Sequence, residues 1–151
     1  MQDYLKFMQS QKLITIACHH KEDIWVANIY IGVDKKGWIY FLSPKDTKHS
    51  QILFKNPGVA FSFAWFDPIN HKDRKGIQGL GLCRIAKSTM EITTGIKLLY
   101  KNFPDLKDIL NPKWITTNIW GSRIWVLKPS YIKYWDDEIY GENKTNEFIF
   151  E

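Results

Sequence analysis

The stretch Gly37–Pro57, GWIYFLSPKDTKHSQILFKNP, decides how this chain is read. Trp38–Leu42 is aromatic and branched enough for a strand buried on at least one side. Ser43-Pro44-Lys45-Asp46 has the composition of a turn. Thr47 then stands as a helix N-cap, with Lys48, His49 and Ser50 in the first turn and Asn56-Pro57 closing the helix. A strand, a polar loop and a helix start with hydroxyl and cationic side chains make a phosphate-binding arrangement. The free N–H groups of the first turn and the positive end of the helix dipole both favour a dianion there. A plain capped surface helix has the same spacing, and spacing alone leaves both readings open.

On the N-terminal side of this stretch, Gln2–Gln11 is a short amphipathic helix with Tyr4, Leu5 and Met8 on its docking face. Leu13–Cys18 is a buried strand, residues 19–23 (HHKED) a polar hairpin loop, and Ile24–Val33 a second strand. Asp34–Gly37 is a hairpin turn in which Gly37 supplies the positive φ that such turns need. On the C-terminal side come a strand at Val59–Trp65, a polar loop at Phe66–Lys75 and a fifth strand at Gly76–Lys87. The three glycines of that strand mark a bulge, a barrel corner or the close approach of a ligand or second backbone. Met90–Leu110 reads as a helix broken at Pro104, with Ile92, Ile96, Leu99, Tyr100 and Phe103 on one stripe. Lys113–Gly121 is ambiguous. Ile124–Leu127 and Tyr131–Trp135 read as two strands flanking Lys128-Pro129-Ser130. Residues 141–151 read as a polar tail, ordered only if its Phe148-Ile149-Phe150 tip packs on something. The fold class is therefore mainly β with a few helices, a single domain of six or seven mostly antiparallel strands closing into a small barrel.

At 151 residues and 44% hydrophobic content, the chain is long enough for a core without disulfide staples. Cys18 and Cys83 fall within strands and read as buried cytosolic thiols. No signal-peptide pattern opens the chain and no apolar run reaches membrane-spanning length, so the expectation is a cytoplasmic protein with no membrane partner. The net charge of +5 permits an anionic partner, but no block of like charges gathers it into a nucleic-acid footprint. A nucleic-acid-binding barrel is the weakest of the readings.

The order of these parts resembles the pyridoxamine 5′-phosphate oxidase-like superfamily of FMN-binding split barrels, especially its short bacterial members. IWVANIYI, the block from Asp34 to Ser62, GIQGLGLCRI and IWVLKPSYIKYWDD carry the resemblance. It implies a six- to seven-stranded antiparallel split β-barrel with FMN as cofactor and a homodimer with flavin at the subunit boundary. By the same resemblance Ser43, Thr47, Lys48 and His49 hold the cofactor phosphate, and the backbone around Ala27 and Asn28 runs along the flavin edge. An aromatic from the partner, Trp120 or Trp125, would cover the ring. The chain departs from the family pattern in two places. His49 stands where members carry Lys, and Gly76 stands near a flavin-contacting Gln, with Lys75 as its partial substitute. The oxidases' substrate-binding Arg and His pattern is not recognisable near the C-terminus, so the chain does not read as a pyridoxamine phosphate oxidase.

Two features invite a metal and carry none of the argument. His19 and His20 are adjacent, and neighbours in extended chain point to opposite faces and cannot both ligate one ion without a bulge, and Asp67, His71 and Asp73 share a solvated loop. Asp136-Asp137-Glu138 reads as a turn. No nucleophile–base pair is legible, which suits a flavoprotein, where the cofactor brings the redox chemistry. The leading expectation is thus an FMN-binding oxidoreductase acting on a small-molecule substrate. The alternative is a non-catalytic barrel that binds flavin or haem.

Overall fold

The computed structural model describes residues 2–106 and 122–151, which form one seven-stranded sheet with helices against it. The elements are α1 (Asp3–Ser10), β1 (Leu13–His20), β2 (Asp23–Val33), β3 (Ile39–Pro44), α2 (Lys48–Lys55), β4 (Gly58–Ala64) and β5 (Lys75–Ile85). After them come α3 (Thr89–Asn102), a 3-10 turn (Pro104–Leu106), β6 (Ser122–Asp136), α4 (Asp137–Tyr140) and β7 (Thr145–Ile149). The strands run β3-β2-β1-β4-β5-β6-β7, and β3 also pairs with β6, so six of them close into a ring. All the pairings are antiparallel.

Strand alternation builds the interior. Ile14, Ile16 and Cys18 of β1, Ile29 and Ile31 of β2, Phe61 and Phe63 of β4 and Trp125 and Leu127 of β6 belong to one buried cluster. Phe7 and Met8 of α1 plug it, Phe7 stacking on Tyr134 with ring centroids 5.6 Å apart. A second cluster forms outside the ring, where Ile96 and Leu99 of α3 cover Tyr40, Ile124 and Val126. Helix α3 comes in close because two residues lack a Cβ. One added at Gly32 would lie 2.5 Å from Leu98 Cβ, and one at Gly95 would lie 2.7 Å from Ile124 Cγ2.

Several boundaries depart from the sequence reading. His19 and His20 continue β1, leaving only Lys21 and Glu22 as the turn, with Lys21 at φ 55°. The two strands expected around Pro129 are one strand, β6. Its register shifts at Leu80/Gly81, with Tyr131 opposite Leu80 and Pro129 opposite Gly81, so the proline sits at a bulge where its missing N–H is tolerated. The expected tail is the strand β7 along β6, fastened by Phe148 and Phe150 against Tyr4 at ring-centroid distances of 4.4 and 5.9 Å. The helix expected to Leu110 ends at Asn102 and is followed by the 3-10 turn. Residues 107–110 and the ambiguous Lys113–Gly121 lie outside the described residues.

Candidate functional site

Thr47 caps α2, its hydroxyl accepting from the Ser50 N–H at 3.3 Å while its carbonyl accepts from the Gln51 N–H at 3.0 Å. The Lys48 and His49 N–H groups are the helix-start donors that this cap does not use. Around the cap the side chains form a connected cluster. The Ser50 hydroxyl donates to Pro44 O at 2.8 Å, and the Thr47 hydroxyl lies 2.7 Å from the Ser50 hydroxyl. His49 Nε2 reaches the Ser43 hydroxyl at 2.6 Å and the Thr47 hydroxyl at 3.2 Å. Ser43 and Ser50 are buried, and burial pushes the His49 pKa below its ordinary value.

Ser43, Thr47 and His49, singled out from the sequence, thus converge on one point. Lys48 faces elsewhere. Its ammonium lies 2.7 Å from Asp23 Oδ1 at the start of β2, and this hydrogen bond holds the Asp23 carboxyl below its usual range. Both side chains are largely exposed, so the pair fixes where α2 sits more than it adds stability. The register of β3 on β6 places Arg123 directly across from Ser43. Sequence reasoning missed this arginine, because only the β3–β6 pairing brings it to the site.

Ala27 and Asn28 lie in the part of β2 that has a strand on one side only. β1 pairs with β2 from Asp23 to Tyr30, whereas β3 pairs with it only from Ile31 to Val33. The Ile31 N–H goes to Lys12 O and the Asp34 N–H to Trp38 O. By the alternation of an antiparallel ladder, the backbone groups of Val26 and Asn28 therefore face away from β1, into the opening. Helix α2 borders that opening. The Asn28 side chain lies on the outer surface and accepts from the Thr15 hydroxyl at 2.7 Å.

Trp125 departs from its expected place. It is 1% exposed, with Phe41 stacked on it at 6.1 Å and Phe54 tilted against it at 5.2 Å, and its indole N–H points at Ser43 O from 3.4 Å. An inward position on β6 makes it a core anchor for α2, not a surface ring that can cover a partner's ligand. Trp120 lies outside the described residues. The β5 glycines meet side chains and backbone of this same chain. A Cβ at Gly79 would collide with the Phe61 ring, one at Gly76 would lie 2.5 Å from the Trp135 ring, and one at Gly81 would lie 2.5 Å from Lys128 O. Lys75 pairs with Asp73 at 3.1 Å and sits 5.0 Å above the Trp65 ring. Among the described residues, no group of three His, Cys, Asp or Glu side chains is arranged to hold a metal ion. No described helix is long and apolar enough to cross a membrane.

No family model matches the chain. It is similar to a UPF0306 protein of Haemophilus ducreyi, 23% identical over 147 residues that cover 96% of this chain and 86% of the relative. A UPF0306 protein of Yersinia enterocolitica is 27% identical over 110 residues, 72% of this chain and 74% of the relative. Among solved structures, a putative pyridoxamine 5′-phosphate oxidase of Listeria innocua superposes with a TM-score of 0.65 at 12% identity, covering 87% of this chain and 94% of that one. The fold is that of the pyridoxamine 5′-phosphate oxidase-like split barrels. A FAD-binding protein of Mesorhizobium loti shares it at a TM-score of 0.65 and 11% identity, over 87% and 92% of the two chains. A haem-binding protein of Mycobacterium smegmatis shares it at 0.71 and 13%, covering 99% of this chain and 59% of that one.

In this split barrel the split is the unpaired length of β2, and the hydroxyl–imidazole cluster stands at the head of the helix beside it. That arrangement suits a long planar cofactor with a phosphate at one end. Buried hydroxyls and helix-start N–H groups make donors for an anion, and open backbone offers hydrogen bonds to a ring edge. The outer surface of the barrel is apolar over a wide area. Val26, Tyr30, Leu80 and Leu82 are 57%, 62%, 52% and 58% exposed. Between them, small residues such as Thr15, Ala17, Ala60 and Ser62 floor a cavity of about 450 Å³.

Proposed function

We propose that this protein is a homodimeric FMN-binding flavoprotein of the cytoplasm, an oxidoreductase for a small-molecule substrate. The observation that carries the reading is the cluster of Ser43, Thr47, His49 and Ser50 at the start of α2, beside the open edge of β2. Ser43 and Thr47 hydroxyls with the Lys48 and His49 N–H groups would hold the phosphate, and backbone of Asn28 would line the ring, while that of Ala27, expected there too, is turned to β1. Bound FMN supplies two-electron redox chemistry, and the chain supplies position and electrostatics. The apolar outer surface supports the dimer, since exposed patches of that kind mark association surfaces. Titrating flavin-stripped protein with FMN, and with riboflavin as control, tests the phosphate clamp. Tight FMN binding with weak riboflavin binding is expected, and equal binding of the two removes the clamp from the account.

A non-catalytic flavin- or haem-binding barrel is the second reading. It is favoured by the half-buried imidazole of His49, whose lowered pKa leaves it little positive charge to bring to a phosphate at neutral pH. Haem in the same titration separates the two: saturable haem binding without FMN binding selects this reading.

A further inference from the structure

The cluster at the head of α2 lacks a fixed positive charge of its own. Of the two cationic residues that the sequence places there, Lys48 is drawn to Asp23 at 2.7 Å, and His49 is half-buried, with its pKa lowered by that burial. A phosphate monoester carries a charge of about −1.5 to −2 at neutral pH. Hydroxyls and helix-start N–H groups answer it with partial charges only.

The register of β3 on β6 brings a full charge to this point. Arg123 pairs with Ser43, and two residues along both strands Trp125 pairs with Phe41. Residues directly opposite one another in an antiparallel pair project to the same side, with Cβ atoms about 4.5–5.5 Å apart. The Phe41 and Trp125 rings show which side that is. They stack within 3° of parallel at 6.1 Å and belong to the barrel interior. Period-two alternation carries the same side on to Ser43 and Arg123, next to the end of β3. The Ser43 hydroxyl turns to His49 Nε2 at 2.6 Å and lies 3.5 Å from the Thr47 hydroxyl, so the Arg123 side chain starts beside the cluster. Arg123 is itself half-buried. Ser43, Thr47, His49 and Ser50 bring no carboxylate to compete for it. Asp46, in the loop before Thr47, is exposed, and Asp23 is held by Lys48.

We propose that Arg123 is the fixed cation of the phosphate clamp, the residue that makes the site select a cofactor ending in a phosphate monoester over one with a neutral end. The assignment rests on reading the cluster as a cofactor phosphate site and adds to it the charge that the α2 side chains do not deliver. A guanidinium suits the task, because its planar fork matches phosphate oxygens and stays charged at every working pH. Flavin-fluorescence titrations of flavin-stripped protein with FMN and with riboflavin test it, in the parent and in Arg123→Met, Arg123→Gln and Arg123→Lys. Removing a charge-assisted bond in the Met and Gln variants weakens FMN by about ten- to a hundredfold. Riboflavin, which has no phosphate, binds them as it binds the parent and so reports that each variant is folded. Arg123→Lys returns the charge without the fork and recovers part of the FMN affinity alone. Added salt weakens FMN binding to the parent more than to either uncharged variant. If the parent prefers FMN and both uncharged variants prefer it equally, or if FMN and riboflavin weaken together, the assignment to Arg123 is overturned while the phosphate site stands. If the parent itself does not prefer FMN, the phosphate site falls and Arg123 with it.

Discussion

Replacing Thr47 by Ala separates the helix cap from the proposed phosphate site. The substitution removes the acceptor for the Ser50 N–H, a loss of about 1 kcal/mol for an N-cap. The Thr47 hydroxyl's contacts with Pro44 O, the Ser50 hydroxyl and His49 Nε2 go with it, while the Ser50 hydroxyl keeps its bond to Pro44 O at 2.8 Å and His49 keeps Ser43 at 2.6 Å. At roughly 2–4 °C per kcal/mol for a domain of this size, the melting temperature falls by only a few degrees. If the hydroxyl also donates to a phosphate, a charge-assisted hydrogen bond of about 1.5–3 kcal/mol goes with it, roughly ten- to hundredfold in affinity. Riboflavin lacks the phosphate and loses nothing. Thr47→Ser keeps the hydroxyl and stays within a few-fold of the parent for both ligands. The measurements are flavin-fluorescence titrations with FMN and riboflavin, with thermal melts alongside. If FMN and riboflavin weaken together, or if FMN is untouched while the melting temperature drops, Thr47 is a cap alone and the phosphate reading fails.

Two further outcomes follow from the charged and titratable groups. Burial lowers the His49 pKa, so between its unfolded value near ~6.5 and its lower folded value the unfolded chain binds more protons. Stability should therefore fall as pH drops through that window, and His49→Gln should flatten the fall in urea melts; an unchanged slope would remove His49 as its source. Glu91 is held down to about 2, chiefly by its hydrogen bond with Arg84, so its stabilisation is complete above about 4.5 and lost as pH falls toward 2. Arg84→Met should cost stability at neutral pH and narrow the difference from the parent below pH ~3; a constant difference across acid pH would contradict the pairing.

The strands were legible in the sequence as branched and aromatic runs, even where both sides are covered, as at Ile39–Leu42; what such runs hid was which way their side chains point. Burial alternates along Gly76–Lys87, whereas Ile24–Val33 runs from an exposed start to a fully buried end and was found as a branched and aromatic run. In Ile124-Trp125-Val126-Leu127 every residue is buried, because α3 covers Ile124 and Val126 from outside. No period-2 signal was left to show that Trp125 points inward. Pro129 read as a break because a proline forbids ordinary ladder pairing, and only the register with Gly81 shows the bulge that admits it. The polar residues of Thr145–Glu147 hid β7, whose anchoring by Tyr4 joins the two ends of the chain. Thr47, Ser43 and His49 were found because capping chemistry is local. Arg123 was not, because its place depends on a pairing between distant segments.

The closure of the ring by β3 on β6 has a consequence for how the protein is made. β3 is synthesised early, and its partner is among the last strands to leave the ribosome. Until β6 emerges, β3 and β5 both present open edges, and β2 already has an open edge from Asp23 to Tyr30. Such non-local pairing folds slowly, and exposed strand edges are the usual starting points for association between nascent chains. A ribosome stall before Ser122 would leave a chain holding most of its core residues and two unsealed edges. Such a chain is a natural client for a holding chaperone.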